Sequence, residues 1–368
     1  MQEKNARYDN IRNRSIFWGR KGKYAAHMKI AIVGLGPAGS YLASRLSGRH
    51  QVEVFEGQTE ERFTSTCAWG TGYGGIKPLL SEIGLNFDDY TFHRGRRLHI
   101  YAHGKITVMR APHLTTFDKP RLLKDMVDGV KVHYGSYVKS GDIESKYDLV
   151  VDATGPYRRL LGGAQTNRDL VLPTVQFLVR YENEPFDDFY VEPFASYTGY
   201  LWYFPLGDGM AYVGAGDVAK HHESRCNLFL ERYPPDKVLK KMGKPIRVAS
   251  PTAVTPFRRG NVVGVGEAIG TVFPILGEGI LPSMICAKFL AESLDDLDGY
   301  ERQVKKRFSV YDDAYDFVLK KMNHTATFLN TFAQMVKVFL FFRRHQEVTG
   351  VDPGLRETLE VLKPFRKG

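Results

Sequence analysis

Only three cysteines occur in the 368 residues, Cys67, Cys226 and Cys286, and they lie far apart. So sparse and odd a count excludes a disulfide framework or a zinc knuckle and fits a reducing compartment. Cys226 and Cys286 read as small structural side chains. No stretch reaches the ~18 consecutive apolar residues of a membrane span. The first residues contain no apolar core of the kind a secretory signal needs. The pair His221-His222 has no further ligand at metal-binding spacing, so no metal is expected. Internal repeats and low-complexity tracts are absent. Acidic residues are in deficit, 41 against 51 Lys and Arg, for a net charge of +10. Half of that excess sits in residues 1–27, with seven basic and two acidic side chains. This segment reads as an extension outside the fold. No nucleic-acid motif accompanies the remaining charge, so nucleic acid is not an expected partner.

What is present is the composition of a globular protein, 43% hydrophobic and 25% charged. The length favours more than one domain. Residues 29–33, Lys-Ile-Ala-Ile-Val, form a short strand-like run, and Gly34-Leu-Gly36-Pro37-Ala38-Gly39 follows at once. A helical pattern through Tyr41, Leu42 and Leu46 comes next, then a second strand, Gln51-Val-Glu-Val-Phe-Glu56. This is a βαβ opening that binds a dinucleotide. Its first two glycines turn the chain toward a pyrophosphate, and the third lets helix and strand pack closely. Glu56 ends the second strand, where an acid would hold a ribose hydroxyl, which favours FAD or NAD over NADP. Cys67-Ala-Trp-Gly-Thr-Gly-Tyr73-Gly-Gly75 reads as a loop, because so many glycines destabilise a helix or strand. Residues 147–152 are a further apolar strand, followed by Ala153-Thr154-Gly155. Residues 171–217 are strand-rich, with turns at 182–185 and 207–209, and suggest an antiparallel sheet. Within them lies Tyr200-Leu-Trp-Tyr-Phe-Pro-Leu-Gly207, where Tyr200, Trp202 and Phe204 fall on one face of a strand and Leu201 and Tyr203 on the other. A last strand at 261–266 leads through Glu267 and Pro274 into Gly277-Glu-Gly279-Ile280 and a helix to about residue 294. The chain beyond 299 reads as helical.

Three motifs stand in order: GLGPAG with Glu56, DATG at 152–155, and GVGEAIGTVFPILGEGI at 264–280. Together they resemble the flavoprotein group typified by p-hydroxybenzoate hydroxylase, over roughly residues 28–295. The segment Gly199-Tyr200-x-Trp202-x-Phe204-Pro205, followed by Val213-Gly-Ala-Gly216, looks like the Y-x-W-x-F-P segment of the geranylgeranyl reductase family. Three departures stand out. Glu267 replaces the usual Asp, Ser65-Thr66-Cys67-Ala68 replaces Lys-Pro-Cys-Gly, and Leu114 stands where a basic residue often precedes the Phe-Asp pair.

The resemblance implies an α/β protein with a Rossmann-type FAD-binding domain, an antiparallel-sheet substrate domain and a C-terminal helical region. The FAD-binding part would take residues 28–84, 97–165 and 255–295, the substrate part 85–96 and 166–254, and the helical region 296–368. FAD would be held by Gly34, Gly36, Pro37, Ala38, Gly39, Glu56, Ala153, Thr154, Gly155, Gly266, Glu267, Gly277, Gly279 and Ile280. Glu278 has two readings, within the site or facing solvent at a helix start. Tyr200, Trp202, Phe204 and Pro205 would line the isoprenoid cavity, and Cys67 and Tyr73 would influence the chemistry. The implied reaction is reduction of isolated C=C bonds in geranylgeranyl-type lipids, by hydride from flavin N5 plus a proton. Such enzymes serve the synthesis of archaeal-type membrane lipids. A monooxygenase or halogenase of the same flavoprotein group and an electron-shuttling flavoprotein are the alternatives. A second GxGxxG in a βαβ context is absent, so electrons would come from NAD(P)H in transit or a ferredoxin-like protein. Residues 328–342 carry five phenylalanines. They read either as a helix packed over the substrate domain or as one lying on a membrane surface. The expected location is cytoplasmic, with peripheral membrane contact under the second reading.

Overall fold

A computed structural model describes residues 27–164, 166 and 168–362. The basic extension expected over residues 1–27 lies, but for its last residue, outside the described residues. The aliphatic runs Lys29–Val33, Gln51–Phe55, Leu149–Asp152 and Val262–Gly264 build a parallel sheet with Lys131–His133, extended by one short antiparallel strand at Arg258–Arg259. Strands buried on both faces need such near-continuous apolar sequence. Helices Pro37–Leu46 and Ile280–Glu292 pack against each other beside this sheet.

The second layer is a seven-stranded sheet. Its order is Lys237–Met242, Thr174–Arg180, Met210–Asp217, Gly199–Gly207, Phe189–Pro193, Arg97–Ala102, Lys105–Arg110. All neighbours are antiparallel except Phe189–Pro193 with Arg97–Ala102, which run parallel. The hairpin at 97–110 therefore belongs to this sheet and not to the nucleotide-binding part, where the sequence grouped it. Leu98, Ile100 and Ala102 alternate into a buried cluster with Phe189, and that packing decides where the hairpin docks.

The glycine-rich segment after Cys67 is not a loop. Gly70–Gly72 is a strand paired with Leu114–Phe117, and Tyr73–Glu82 is a helix that includes Gly74 and Gly75. The glycines are there for what crosses them. A Cβ at Gly72 would stand 2.4 Å from the Glu347 carbonyl oxygen, and one at Gly74 2.8 Å from the Glu347 Cβ. The short helix Gln346–Thr349 is seated in that notch. Close packing thus offsets the intrinsic cost of glycine in a helix, about 1 kcal/mol each.

The C-terminal helices are Leu297–Arg307, Val310–Met322, Phe328–Arg344, Gln346–Thr349 and Leu355–Leu362. Tyr300 ties the first of them to the Rossmann sheet, donating its hydroxyl to the Gly264 carbonyl at 2.8 Å. The Phe328–Arg344 helix packs through Val338 and Phe341, and the Phe341 ring stacks on Phe273 at 5.3 Å. Its other face is apolar too: Leu329 (89% exposed), Phe332, Val336 and Leu340 point outward. No described helix is long and apolar enough to cross a membrane.

Candidate active site

One cavity of about 740 Å³ runs from the glycine motif at the end of the Rossmann sheet to the face of the seven-stranded sheet. At its first end the strand Lys29–Val33 stops at Gly34. That residue has φ +111°, and a Cβ there would stand 2.3 Å from the Ala153 carbonyl oxygen. Only glycine meets both demands. The chain then turns so that Pro37 opens the helix Pro37–Leu46, with its unpaired N–H groups toward the cleft. Gly36, Pro37 and Ala38 line the cavity, while Gly39 is packed against Gly34 behind it. A Cβ on Gly36 would meet nothing within 4 Å and would project into the cleft. Glu56 accepts from the Leu35 N–H at 3.0 Å and the Gln58 N–H at 2.9 Å, which fixes the turn. Ala153, Thr154 and Gly155 complete this wall. A glycine-lined helix N-terminus with open space before it fits the pyrophosphate of a dinucleotide.

The middle of the cavity holds two carboxylates. Glu267 accepts from the Arg247 N–H at 2.7 Å; burial pushes its carboxyl up, against the nearby Lys244 charge and that amide. Glu278 does not face solvent. It lines the cavity, and its Oε1 accepts from the Thr71 hydroxyl at 3.0 Å and the Leu281 N–H at 2.9 Å. Burial pushes this carboxyl up to about 7, opposed by those donors and by Lys119. Gly277, Gly279 and Ile280 line the same region, with Gly266 just beneath it against Ala38.

Across from them stands the aromatic strand Gly199–Gly207. Tyr200, Trp202 and Phe204 line the cavity, whereas Leu201 and Tyr203 are buried on the other face with Val213 and Phe229. Trp202 can lie flat on the sheet because its neighbour is Gly214, where a Cβ would stand 2.4 Å from the indole. The Tyr200 hydroxyl donates to the Leu276 carbonyl, tying the strand to the loop before Glu278. Pro205 does not line the cavity. It follows the alternation to the buried side, where its carbonyl accepts from Thr116 at 2.5 Å.

Cys67 lines the cavity. Its Sγ accepts from Lys119 Nζ at 3.1 Å and from the Trp69 N–H at 3.3 Å, and its carbonyl accepts from Gln176 at 3.0 Å. Tyr73 is elsewhere. Because a helix starts at this residue, its side chain turns to Asp88 and Lys77, with the Arg94 guanidinium 3.8 Å from the ring centre. It does not line the cavity, contrary to the position beside the chemistry that the resemblance implied for it. Lys119 is the residue that sequence reading passed over, and a signal existed. Lys119, Leu122, Leu123 and Met126 recur at i, i+3, i+4 and i+7, so the lysine sits on the buried face of its helix and is only 5% exposed. Among the described residues no group of side chains could hold a metal ion.

Fold and cleft together define an FAD-binding flavoprotein of the Rossmann class, and FAD is its cofactor. The chain belongs to the tryptophan halogenase family, whose profile matches residues 121–334, more than half its length. Among curated relatives, a digeranylgeranylglycerophospholipid reductase of Methanosphaera stadtmanae is 24% identical over 325 residues, covering 78% of this chain and 79% of the relative. Among solved structures, a geranylgeranyl bacteriochlorophyll reductase-like protein of Thermoplasma acidophilum superposes with a TM-score of 0.69. It is 16% identical, over 91% of this chain and 96% of that one. The flavin-dependent halogenase CmlS has a TM-score of 0.63 at 16% identity, over 92% of this chain and 70% of that one. At such identities these structures are similar in fold.

Proposed function

We propose that the protein is an FAD-dependent reductase of isolated C=C bonds in isoprenoid lipid chains. One observation carries the reading: the apolar face of Tyr200, Trp202 and Phe204 lines the same cavity as the glycine motif and Glu267. A long apolar chain lying along that face would pass the middle of the cavity. The relative named digeranylgeranylglycerophospholipid reductase supports the substrate class. In this reading Gly34, Gly36, Pro37 and Ala38 take the pyrophosphate with Gly39 packed behind them, Glu56 the adenosine ribose, Ala153 to Gly155 the adenine side, and Glu267 the ribityl chain. Gly266 shapes the backbone beneath Glu267, while Gly277, Gly279 and Ile280 line the cavity at the opening of the Ile280–Glu292 helix. When bound, FAD supplies hydride transfer. The protein's part is to exclude water along the aromatic wall, to align the chain, and to hold Cys67 beside Lys119. Electrons come from a nicotinamide or a ferredoxin-like protein. The outward stripe Leu329, Phe332, Val336 and Leu340 suits a helix resting on a lipid surface, through which such a substrate enters.

The second reading is oxygenation or halogenation, favoured by the family profile and by the fold shared with CmlS. The test supplies chemically reduced protein with a geranylgeranyl lipid in detergent micelles, without oxygen, and weighs the product. Gain of two hydrogens per double bond supports the reductase. An inert lipid under these conditions, with an oxygen or halogen added once air and halide are supplied, supports the second reading.

A further inference from the structure

The reductase reading leaves one requirement open. An isolated double bond that accepts hydride at one carbon needs a proton at the other, and a dry cavity offers few sources. Titratable side chains lining it include Cys67, Lys119, Glu267, Glu278 and Tyr200, with Lys244 beside Glu267 and Lys321 from the helix Val310–Met322. Cys67 receives two hydrogen bonds at its sulfur, one from the lysine. Glu267 is turned to the Arg247 amide, on the side of Gly155. The Tyr200 hydroxyl is spent on the Leu276 carbonyl. Glu278 is different. The Thr71 hydroxyl and the Leu281 N–H both donate to Oε1, and the Ile280 N–H also lies against this carboxyl. An oxygen that accepts twice is the carbonyl-like oxygen of a carboxylic acid, which leaves Oε2 as the oxygen to carry the proton.

We propose that Glu278 is the general acid of this cavity, donating its Oε2 proton to the double-bond carbon that hydride does not reach. The assignment rests on the reductase reading. The step balances as follows. The C=C π bond breaks and two C–H bonds form. One hydrogen arrives as hydride, with two electrons, from reduced FAD. The other arrives as the proton of Glu278, whose O–H bond breaks and leaves a carboxylate. FAD ends oxidised and the lipid reduced. A nicotinamide or iron–sulfur donor restores the flavin, and water returns the proton to Glu278.

The surroundings suit a group that must hold a proton near neutrality. Burial is the largest influence and favours the neutral acid. The charged or titratable groups facing it are Lys119 from the helix Lys119–Asp125, Tyr200 from the aromatic strand and Tyr311 from the helix Val310–Met322. The two tyrosines are held neutral by burial, and Lys119 is the charge, among the described residues, that draws the acid toward ionisation. The Thr71 hydroxyl works in the same direction as Lys119.

The test uses the full chain with FAD, wild type against Glu278→Gln and Thr71→Val. Wild-type reduction of a geranylgeranyl lipid should fall as pH rises through about 7, because the acid must be protonated. Glu278→Gln should retain yellow FAD, lose about a hundredfold or more in rate, and lose that limb. Infrared difference spectra of substrate-free protein should show a carboxylic acid that ionises over the same pH range and is missing in Glu278→Gln. Thr71→Val removes a donor that favours the carboxylate, so its limb should move to higher pH, a shift a purely structural contact would not give. That variant decides the matter if Glu278→Gln fails to fold. Lipid reduction with an unaltered rate and pH profile in Glu278→Gln, or an unmoved limb in Thr71→Val, overturns the assignment of Glu278 alone. A wild-type product carrying oxygen or halogen overturns the reductase reading and the hydride step with it.

Discussion

Trp202 and Glu278 stand on opposite walls of one cavity, and different variants separate what each does. Trp202 lies over Gly214, away from the glycine motif. Trp202→Ala should therefore leave FAD bound, with an unchanged visible spectrum, while lipid turnover falls at least tenfold through lost apolar contact of about 2–3 kcal/mol. Release of the flavin would instead make the indole part of the framework. Glu278 also makes a prediction about stability. Its carboxyl is held at about 7 in the fold against an ordinary value of 4.5. A raised carboxylate pKa means the folded form resists ionisation, so this group lowers stability as pH rises from about 4.5 to about 7. The melting temperature of Glu278→Gln, relative to wild type, should rise across that window and level off above it. A gap that is constant with pH would place the carboxyl in a solvent-like setting.

Two helices carry opposite lessons about local propensity. In Tyr73–Glu82, replacing glycine by alanine should favour the helix by about 1 kcal/mol if intrinsic preference ruled. Gly74→Ala would instead put a Cβ 2.8 Å from the Glu347 Cβ and displace the turn Gln346–Thr349. We expect a net loss of stability in denaturant titration, with faster proteolysis near residue 347. In Phe328–Arg344, the buried and outward faces should respond separately. Phe332→Glu with Leu340→Glu should leave the unfolding midpoint within about 0.5 kcal/mol of wild type, as surface changes do. The same pair should abolish flotation with anionic liposomes, if the helix rests on lipid. Phe342 is a poor probe of that idea, because its ring packs on Phe273.

The cavity that holds the cofactor cleft draws on residues from Val33 to Val361, so its occupancy should bear on both sheets at once. Stripping FAD should lower the melting temperature, and readdition at a hundred times its Kd should restore about 2.7 kcal/mol. A single cooperative transition that moves as one on readdition would show both layers melting together. The Rossmann core was legible in the sequence because parallel strands buried on both faces must be nearly continuous in Ile, Val and Leu, as at 30–33 and 149–151. The aromatic face was legible because a strand alternates with a period of two. The hairpin at 97–110 alternates just as well, yet alternation does not say which sheet it joins. Tyr73 and Pro205 were misplaced for a related reason: a helix start and one step of strand parity turned them from the cavity. Lys119 and the acid of Glu278 were hidden because their setting is made by segments far along the chain.

The seat of Gln346–Thr349 against Gly72, Gly74 and Gly75 has a consequence for how the protein is made. The wall that holds Thr71 and Cys67 is braced by a turn translated long after it. A nascent chain that has finished its Rossmann strands still lacks that brace, and such distant pairings form slowly. The wall of Thr71 and Cys67 is therefore complete only once Gln346–Thr349 has docked, and a chain stalled before residue 346 would carry a glycine-rich notch open to water and to other chains.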